Sequence, residues 1–457
     1  MSLTKKFLTK KFDFRGFDKP ARVVLAASIG LMYFLAIAFF SQRHDISHTV
    51  LSSYGYLNGK IFEFYDYNKI VLGGNDYLPP VYIIFAIWMA PLFYSGLSSA
   101  PDFASDPLTV LELLPFELLW AKFALIAAFV LSVFVFYKVA SLIFNMNQKK
   151  TYISTIAFAT SPLAFFAVGI FNQYDVFGVL FTLLGLLFLL KERILPFAVL
   201  FGLAASFKFF ALILVVPLIL LFIPSWISRL KTGLVVALIP LVFALPYVSS
   251  IAFQEGVLRL VYDRGSSGSF LSVITFAFAI YAGINLWALH VRRTNQDLYA
   301  PMVIISIATY ALLFNSVTFN PQWLIIITPF LALAVGYVRH PKLFLFVETV
   351  AFAAFAWYVL VSFTDNVDGT MVMNGPLSGI FENPQFPISV FFPPINPVAG
   401  LLIFKVILLS LPVYVYLFRD NKKNPDFGFG LTLVLGARAL APLFLVLVPS
   451  LLAVMVH

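Results

Sequence analysis

The chain contains no cysteine, and only 11% of its 457 residues are charged. The absence of cysteine excludes disulfide bonds, thiolate metal sites and cysteine nucleophiles. The scarcity of charge excludes an ordinary soluble domain, in which about a quarter of the residues are charged. Because 61% of the residues are hydrophobic and the mean hydropathy is +0.95, lipid is the solvent for most of the chain. The composition therefore predicts an all-α, polytopic membrane protein in a lipid bilayer.

Basic residues indicate how the chain is oriented in the membrane. A net charge of +9 would favour a nucleic-acid partner for a soluble protein. Here most of the 30 Lys and Arg residues lie in short clusters before and between apolar runs, which is typical of cytoplasmic loops. We therefore predict a cytoplasmic N-terminus and no nucleic-acid partner. The first apolar run, residues 23–40, is too long for a signal-peptide core of roughly 7 to 15 residues, and we interpret it as an uncleaved anchor.

The apolar run at 81–94 is either a second crossing or a shorter helix that dips into the outer face. Only the second alternative leaves every later basic cluster on the cytoplasmic side, so we predict 13 crossings with the C-terminus outside. We interpret 195–207 and 209–223 as two short helices that turn at Lys208; a single long helix is the alternative and would invert the orientation of every later span. The predicted spans are 23–40, 116–143, 152–170, 173–190, 195–207, 209–223, 232–249, 270–289, 299–316, 321–338, 342–362, 397–418 and 428–455.

With this topology the outer side receives a long first loop, residues 41–115, and most of the 21 acidic residues. The stretch QRHDISHTV at 42–50 places Asp45 between His44 and His48, where a membrane helix meets water. A carboxylate at that depth either stays solvated or takes a proton from a substrate that arrives at the membrane surface. Two histidines beside one aspartate also suggest a metal, but no third ligand is evident. We expect no metal and no other cofactor.

Several motifs together resemble the GT-C superfamily of membrane glycosyltransferases. They are Asp45 in the long loop after the first span, YLPP at 77–80, the polar turn FNQYD at 171–175 that ends in an aspartate before a span, and Gly202 followed six residues later by Lys208. The resemblance covers roughly residues 20–225. The arrangement is also similar to the catalytic subunit of oligosaccharyltransferase, but the chain lacks the signature of its soluble C-terminal domain. We therefore do not expect transfer to protein.

The resemblance implies a GT-C-like catalytic module at 1–225 and a second membrane module at 226–457 that completes the donor and acceptor cavity. GT-C enzymes take a sugar from a polyprenyl phosphate donor, and Asp45 matches the aspartate that the superfamily uses as base. The phosphate needs cations, for which the candidates are Lys208, Arg264 and Arg259. The candidates for binding the acceptor or the sugar are His44, His48, Asp175, Gln173 and Tyr77.

These residues predict an inverting glycosyltransferase of the plasma membrane with an extracytoplasmic active site. The resemblance implies transfer of a hexose, mannose or glucose, to a lipid-linked or cell-surface glycan. One alternative is a flippase or transporter for lipid-linked glycans, which would need polar residues at mid-membrane depth. Another is a non-catalytic assembly subunit, which should survive the loss of Asp45 and Lys208 together. Glu348 and Arg438 lie within predicted spans, where charge is costly, so they should pair with each other or face a cavity.

Overall fold

The structure is a computed structural model that describes residues 27, 30, 33–34, 38, 41, 43–98, 113–258, 270–294, 297–317, 320–362, 376, 396–420 and 430–442. Within these residues the chain is all-helical apart from one isolated bridge between Val338 and Arg419. Most of the predicted first span, 23–40, lies outside the described residues.

The first loop contains three helices, α1 (Arg43–Leu57), α2 (Phe64–Leu72) and α3 (Pro79–Tyr94). Helix α2 ends at Gly73, whose φ of 85° is the left-handed conformation that glycine adopts without steric cost. Helix α3 begins with Pro79 and Pro80, where the missing N–H groups would have no helical partner in any case. The YLPP sequence therefore spans the start of a helix, and Tyr77 lies two residues before its first residue, Pro79.

The next part of the predicted catalytic module forms a series of apolar helices. They are α4 (Pro115–Ile143), α5 (Gln148–Ala159), α6 (Asp175–Leu189), α7 (Ile194–Phe207) and α8 (Phe210–Phe222). A helical turn at Pro162–Phe165 and a π-helix at Phe166–Ile170 continue α5 toward the FNQYD turn. The remainder of the chain forms α9 (Trp226–Ala244), α10 (Phe270–Thr294), α11 (Tyr299–Ser316), a 3₁₀-helix (Pro321–Ile327), α12 (Thr328–Val335), α13 (Pro341–Ser362), α14 (Pro397–Leu417) and α15 (Gly430–Pro442).

In the described part of the chain, six helices are long and apolar enough to cross a membrane, and further apolar helices are shorter. The six are Pro115–Ile143, Gln148–Ile170, Trp226–Tyr247, Tyr299–Ser316, Pro341–Ser362 and Pro397–Leu417. The protein is therefore an integral membrane protein, as the composition predicts. Every predicted span from 116 onward contains a helix, although the number of crossings and their orientation stay predictions.

The prediction of two short helices around Lys208 is confirmed. Lys208 separates α7 from α8 and has an extended backbone, with φ −151° and ψ 126°. Helix α7 packs closely on α9, because Gly202 has no side chain: a Cβ there would lie 2.6 Å from the Cβ of Ile239. Gly202 is part of the motif that carries the family resemblance, and its lack of a side chain allows α7 and α9 to pack closely.

Glu348 and Arg438, which we expected either to pair or to face a cavity, pair with each other. Arg438 on α15 donates from Nη2 to Glu348 Oε1 on α13 at 2.6 Å and from Nε to Oε2 at 3.1 Å. Its Nη1 donates to the carbonyl oxygen of Ala157 at 2.6 Å and to Thr160 Oγ1 at 3.0 Å. The guanidinium therefore ties α15 and α13 to the point where α5 ends.

Candidate active site

Helix α1 places three polar side chains of the candidate site close together. Asp45, His48 and Thr49 have the spacing i, i+3, i+4 that brings side chains together on a helix. Ile46, Val50 and Leu51 are buried and anchor the helix in the core. Asp45 itself is half-buried. The local sequence therefore holds the Asp45 carboxylate at the edge of the bundle.

The FNQYD turn brings a second segment to Asp45. Asn172 has a φ of 52°, a left-handed conformation that asparagine tolerates better than most residues, and its Nδ2 donates to Ser41 Oγ at 2.6 Å. The next residue, Gln173, donates from Nε2 to Asp45 Oδ2 at 2.8 Å. An amide donor holds the carboxylate in one orientation without adding charge. Residues 128 positions apart in the sequence thus meet directly.

A cavity of about 200 Å³ opens in front of this pair. Its lining residues are Asp45, His48, Thr49, Asp76, Tyr77 and Gln173. Four of these are predicted site residues, and the structure brings them together. Thr49 and Asp76 were missed, although both could have been found: Thr49 is one helical turn from Asp45, and Asp76 immediately precedes the YLPP motif.

Lys208 and Asp175 form an ion pair beside the cavity. The ammonium nitrogen lies 3.5 Å from Asp175 Oδ1 and donates to the hydroxyl of Tyr174 at 3.0 Å. The Asp175 side chain is only 1% exposed and stands in the first turn of α6, where the helix dipole favours a negative charge. The Lys208 side chain is 13% exposed. The structure therefore neutralises both buried charges locally.

Three aromatic rings surround the Lys208 ammonium. The centroids of Tyr77, Tyr174 and Trp323 lie 4.7, 5.0 and 5.1 Å from its nitrogen, within the range of cation–π attraction. Trp323 comes from the 3₁₀-helix in the second half of the chain. The cation is thus held in place from several directions.

Tyr77 lies between the cavity and the Lys208 pair. It lines the cavity, and its ring also meets the ring of Tyr174 edge-on, with the centroids 4.8 Å apart. Its backbone is fixed by Tyr65, whose hydroxyl donates to the Tyr77 carbonyl oxygen at 2.6 Å. Burial raises the pKa of the Tyr77 hydroxyl above its usual value, so this group stays protonated and able to donate a hydrogen bond at physiological pH.

Other predicted site residues are not assembled in the described part of the chain. Arg259 and Arg264 lie outside the described residues, and so does the side chain of His44. Asp175 and Lys208 pair with each other behind Tyr77 and are not lining residues of the cavity. Among the residues that the structure describes, no three His, Cys, Asp or Glu side chains come together to hold a metal ion. The roles assigned to these residues stay predictions.

The arrangement is suited to removing a proton from a hydroxyl group. A carboxylate that faces a small cavity can accept a proton from a bound hydroxyl within hydrogen-bond reach, and Gln173 fixes its orientation. His48 and Tyr77 add polar groups on the same cavity wall, where a sugar or a polyol could be bound. The ammonium of Lys208, which is paired with Asp175, lies 4.7 Å from the centroid of the Tyr77 ring.

The solved structures that are similar to this chain include two of one protein. No protein-family model matches the chain, and no curated protein matches it. The crystal structure of ArnT from Cupriavidus metallidurans bound to undecaprenyl phosphate is 15% identical, with a TM-score of 0.46 over 92% of this chain and 77% of that one. The structure of the same protein in the apo state is also 15% identical, with a TM-score of 0.44 over 93% and 77%.

Proposed function

We propose that this protein is a membrane glycosyltransferase that moves a sugar from a polyprenyl phosphate donor to an acceptor hydroxyl. The observation that carries the proposal is the meeting of Asp45 with Gln173 at a cavity that His48 and Tyr77 also line. Asp45, Gln173 and Tyr77 belong to the sequence motifs of one family, and they come from three separate segments of the chain. Their convergence on one cavity is what a common role in catalysis requires.

In the proposed reaction Asp45 is the general base. Its carboxylate takes the proton of the acceptor hydroxyl while that oxygen attacks the anomeric carbon of the sugar. The bond between the anomeric carbon and the phosphate oxygen breaks, and the polyprenyl phosphate leaves with the bonding electrons. A single displacement from the opposite face inverts the configuration at that carbon. Gln173 keeps one carboxylate oxygen occupied and so fixes the direction from which the base acts.

The departing phosphate needs positive charge close to it, because negative charge develops there in the transition state. Lys208 is our candidate, since the ring of Tyr77 that lines the cavity is 4.7 Å from its ammonium. Asp175 and the aromatic rings would then hold the ammonium in position before the donor binds. Arg259 and Arg264 stay predicted partners of the phosphate.

We further propose that the sugar is a hexose, mannose or glucose, and that the acceptor is a lipid-linked or cell-surface glycan. The active site would lie on the extracytoplasmic face of the plasma membrane, because the basic clusters predict that the first loop is outside. The lipid donor would enter sideways between helices from the bilayer.

The test is sugar transfer by the purified protein in detergent, with labelled polyprenyl phosphate mannose or glucose as donor and a membrane lipid extract as acceptor. Asp45→Asn keeps the shape of the side chain but removes the base, so we expect transfer to fall by about 10²- to 10⁴-fold. Glu63→Gln is the matched control, because it removes an exposed carboxylate from the same loop and should leave transfer unchanged. An Asp45→Asn protein that folds normally and transfers sugar at the full rate would overturn the assignment.

A further inference from the structure

Residues 245–258 pack on α2 and the start of α3, which are far from them in the sequence, beside the cavity. Residues 245–258, called here the clamp segment, consist of a 3₁₀-turn (Leu245–Tyr247), a short helix (Ile251–Phe253) and a π-helix (Gln254–Leu258). Their apolar side chains share a small hydrophobic cluster with α2 and the start of α3. Its buried members are Phe64, Tyr65, Leu78, Tyr82, Tyr247, Ala252, Phe253 and Val257. This cluster is separate from the main core of the helix bundle.

Polar contacts fix how the clamp segment sits on the first loop. Tyr247 donates its hydroxyl hydrogen to the carbonyl oxygen of Ile61 at 2.8 Å. Asp66 Oδ1 accepts from the Ser250 hydroxyl at 2.8 Å and from the backbone N–H of Ala252 at 3.4 Å, so an aspartate on α2 caps the short helix of the clamp segment. Lys69 on α2 forms an ion pair with Glu255. These contacts define a single docked arrangement of the two segments.

The two backbones approach each other closely at Gly256. A Cβ at this position would overlap the carbonyl oxygen of Asn75 and lie 3.2 Å from its carbonyl carbon. The obstacle is backbone, so no side-chain rotation could relieve it. Asn75 is buried, and its Oδ1 accepts a hydrogen bond from Ser52 Oγ on α1 at 2.8 Å. The next two residues, Asp76 and Tyr77, line the cavity.

We propose that Gly256 is a positioning residue that sets the cavity wall formed by Asp76 and Tyr77. The backbone of the clamp segment contacts the backbone of Asn75 at Gly256, and Ser52 on α1 forms a hydrogen bond with the Asn75 side chain. Asp45, His48 and Thr49 form one wall of the cavity and lie on the same helix as Ser52. Asp76 and Tyr77 form the other wall and directly follow Asn75. The hydrogen bond between Ser52 and Asn75 therefore links the positions of the two walls. The distance between them then depends on a glycine that is outside the cavity. This inference rests on the proposed function.

Gly256→Ala tests the proposal in the sugar-transfer assay. A misplacement of about 1 Å in a positioned site costs up to roughly 100-fold in rate, so we expect kcat/KM to fall by about 10- to 100-fold. The matched control is Gly233→Ala on α9, where a Cβ would meet no atom within 4 Å. The second readout is a double variant with Tyr77→Ala. If Gly256 acts through the wall, the loss caused by Gly256→Ala should be much smaller when Tyr77 is already absent, whereas a general loss of stability would be additive.

A measurement independent of activity uses the lack of cysteine in the natural chain. Asp76→Cys introduces a single thiol on the wall, and its rate of reaction with a water-soluble maleimide reports the position of that wall. We expect Gly256→Ala to change this rate severalfold and Gly233→Ala to leave it unchanged.

The outcomes separate the positioning inference from the proposed function. If the wild type transfers sugar and Gly256→Ala behaves like Gly233→Ala, the positioning inference is overturned and the proposed function stands. If the wild type transfers no sugar from either donor, the proposed function fails, and the labelling rate at position 76 decides the positioning inference alone. Equal labelling rates in the Gly256→Ala and Gly233→Ala backgrounds would overturn it, and unequal rates would support it.

Discussion

The buried pair between Glu348 and Arg438 offers a sharp test of what holds the helix bundle together. The two side chains are 2% and 1% exposed, and their two hydrogen bonds are 2.6 and 3.1 Å long. Arg438 also satisfies the carbonyl oxygen of Ala157. That oxygen has lost its usual helical partner, because the N–H of Ser161 bonds to Phe158 instead, where α5 ends.

The loss in the free energy of unfolding when this pair is broken can be estimated from its contacts. Glu348→Leu leaves a buried guanidinium without its counter-ion, which typically costs about 3–5 kcal/mol. Arg438→Met leaves a buried carboxylate and also leaves the Ala157 oxygen without a donor, which adds about 1–3 kcal/mol. The double variant Glu348→Leu/Arg438→Met buries no charge, so only the Ala157 oxygen and Thr160 lose a partner. We therefore expect the double variant to be more stable than either single variant.

The measurement is the free energy of unfolding of the three variants and the wild type, from denaturant titrations of the purified proteins in mixed detergent micelles. The diagnostic quantity is the coupling energy of the double-mutant cycle, which should be about 3 kcal/mol or more. A double variant whose loss equals the sum of the two single losses would refute the reasoning, because it would mean that neither charge depends on the other.

Two further predictions concern the family motifs. Gly202→Ala should lower the melting temperature, because its Cβ would lie 2.6 Å from Ile239 Cβ and overpacking costs about 1–3 kcal/mol; Gly233→Ala is the control and should not lower it, and equal melting temperatures would contradict this view of Gly202. Lys208→Met should lower both stability and sugar transfer, whereas Lys208→Met/Asp175→Asn should regain stability but not transfer, since it removes the buried unpaired carboxylate without restoring a cation. A double variant that transfers sugar like the wild type would exclude Lys208 as a partner of the phosphate.

Helices were the most predictable part of the structure, because long apolar runs in a membrane protein leave the backbone little alternative. Their ends were less predictable. Residues 226–231, WISRLK, look like a polar loop, and the apolar pattern predicts a span that begins at 232. Helix α9 nevertheless begins at Trp226, because the Ser225 side chain caps it by accepting from the backbone N–H of Ser228 at 3.5 Å. Arg229 also donates to the carbonyl oxygens of Ile223 at 2.7 Å and Leu220 at 3.1 Å, which the end of α8 leaves without partners. A basic residue that would mark a loop is here part of the connection between two helices.

The residues of the candidate site were predictable where the signal is local. Asp45 stands out as an acid within the polar stretch that follows the first apolar run, and Tyr77 and Gln173 belong to short motifs. The contacts between these residues were not predictable in the same way. Gln173 reaches Asp45 only because the turn after the π-helix folds back on the start of α1. Neither composition nor periodicity specifies such a contact over 128 residues, and only the family resemblance brought the two together in advance.

The motifs of the candidate site all lie in the first half of the chain, but the surroundings of Lys208 show that the second half also contributes to the site. A lysine between two apolar helices requires compensation for its buried charge, and Asp175 and Tyr174 at the start of α6 supply part of it. The remaining faces of the ammonium are covered by Tyr77 from the first loop and by Trp323, 115 positions further along the chain. The cavity wall likewise depends on Gly256. Residues beyond 225 therefore contribute to the position of groups in the predicted catalytic module, and a fragment that ends at 225 would retain the motifs but lose contacts that hold them.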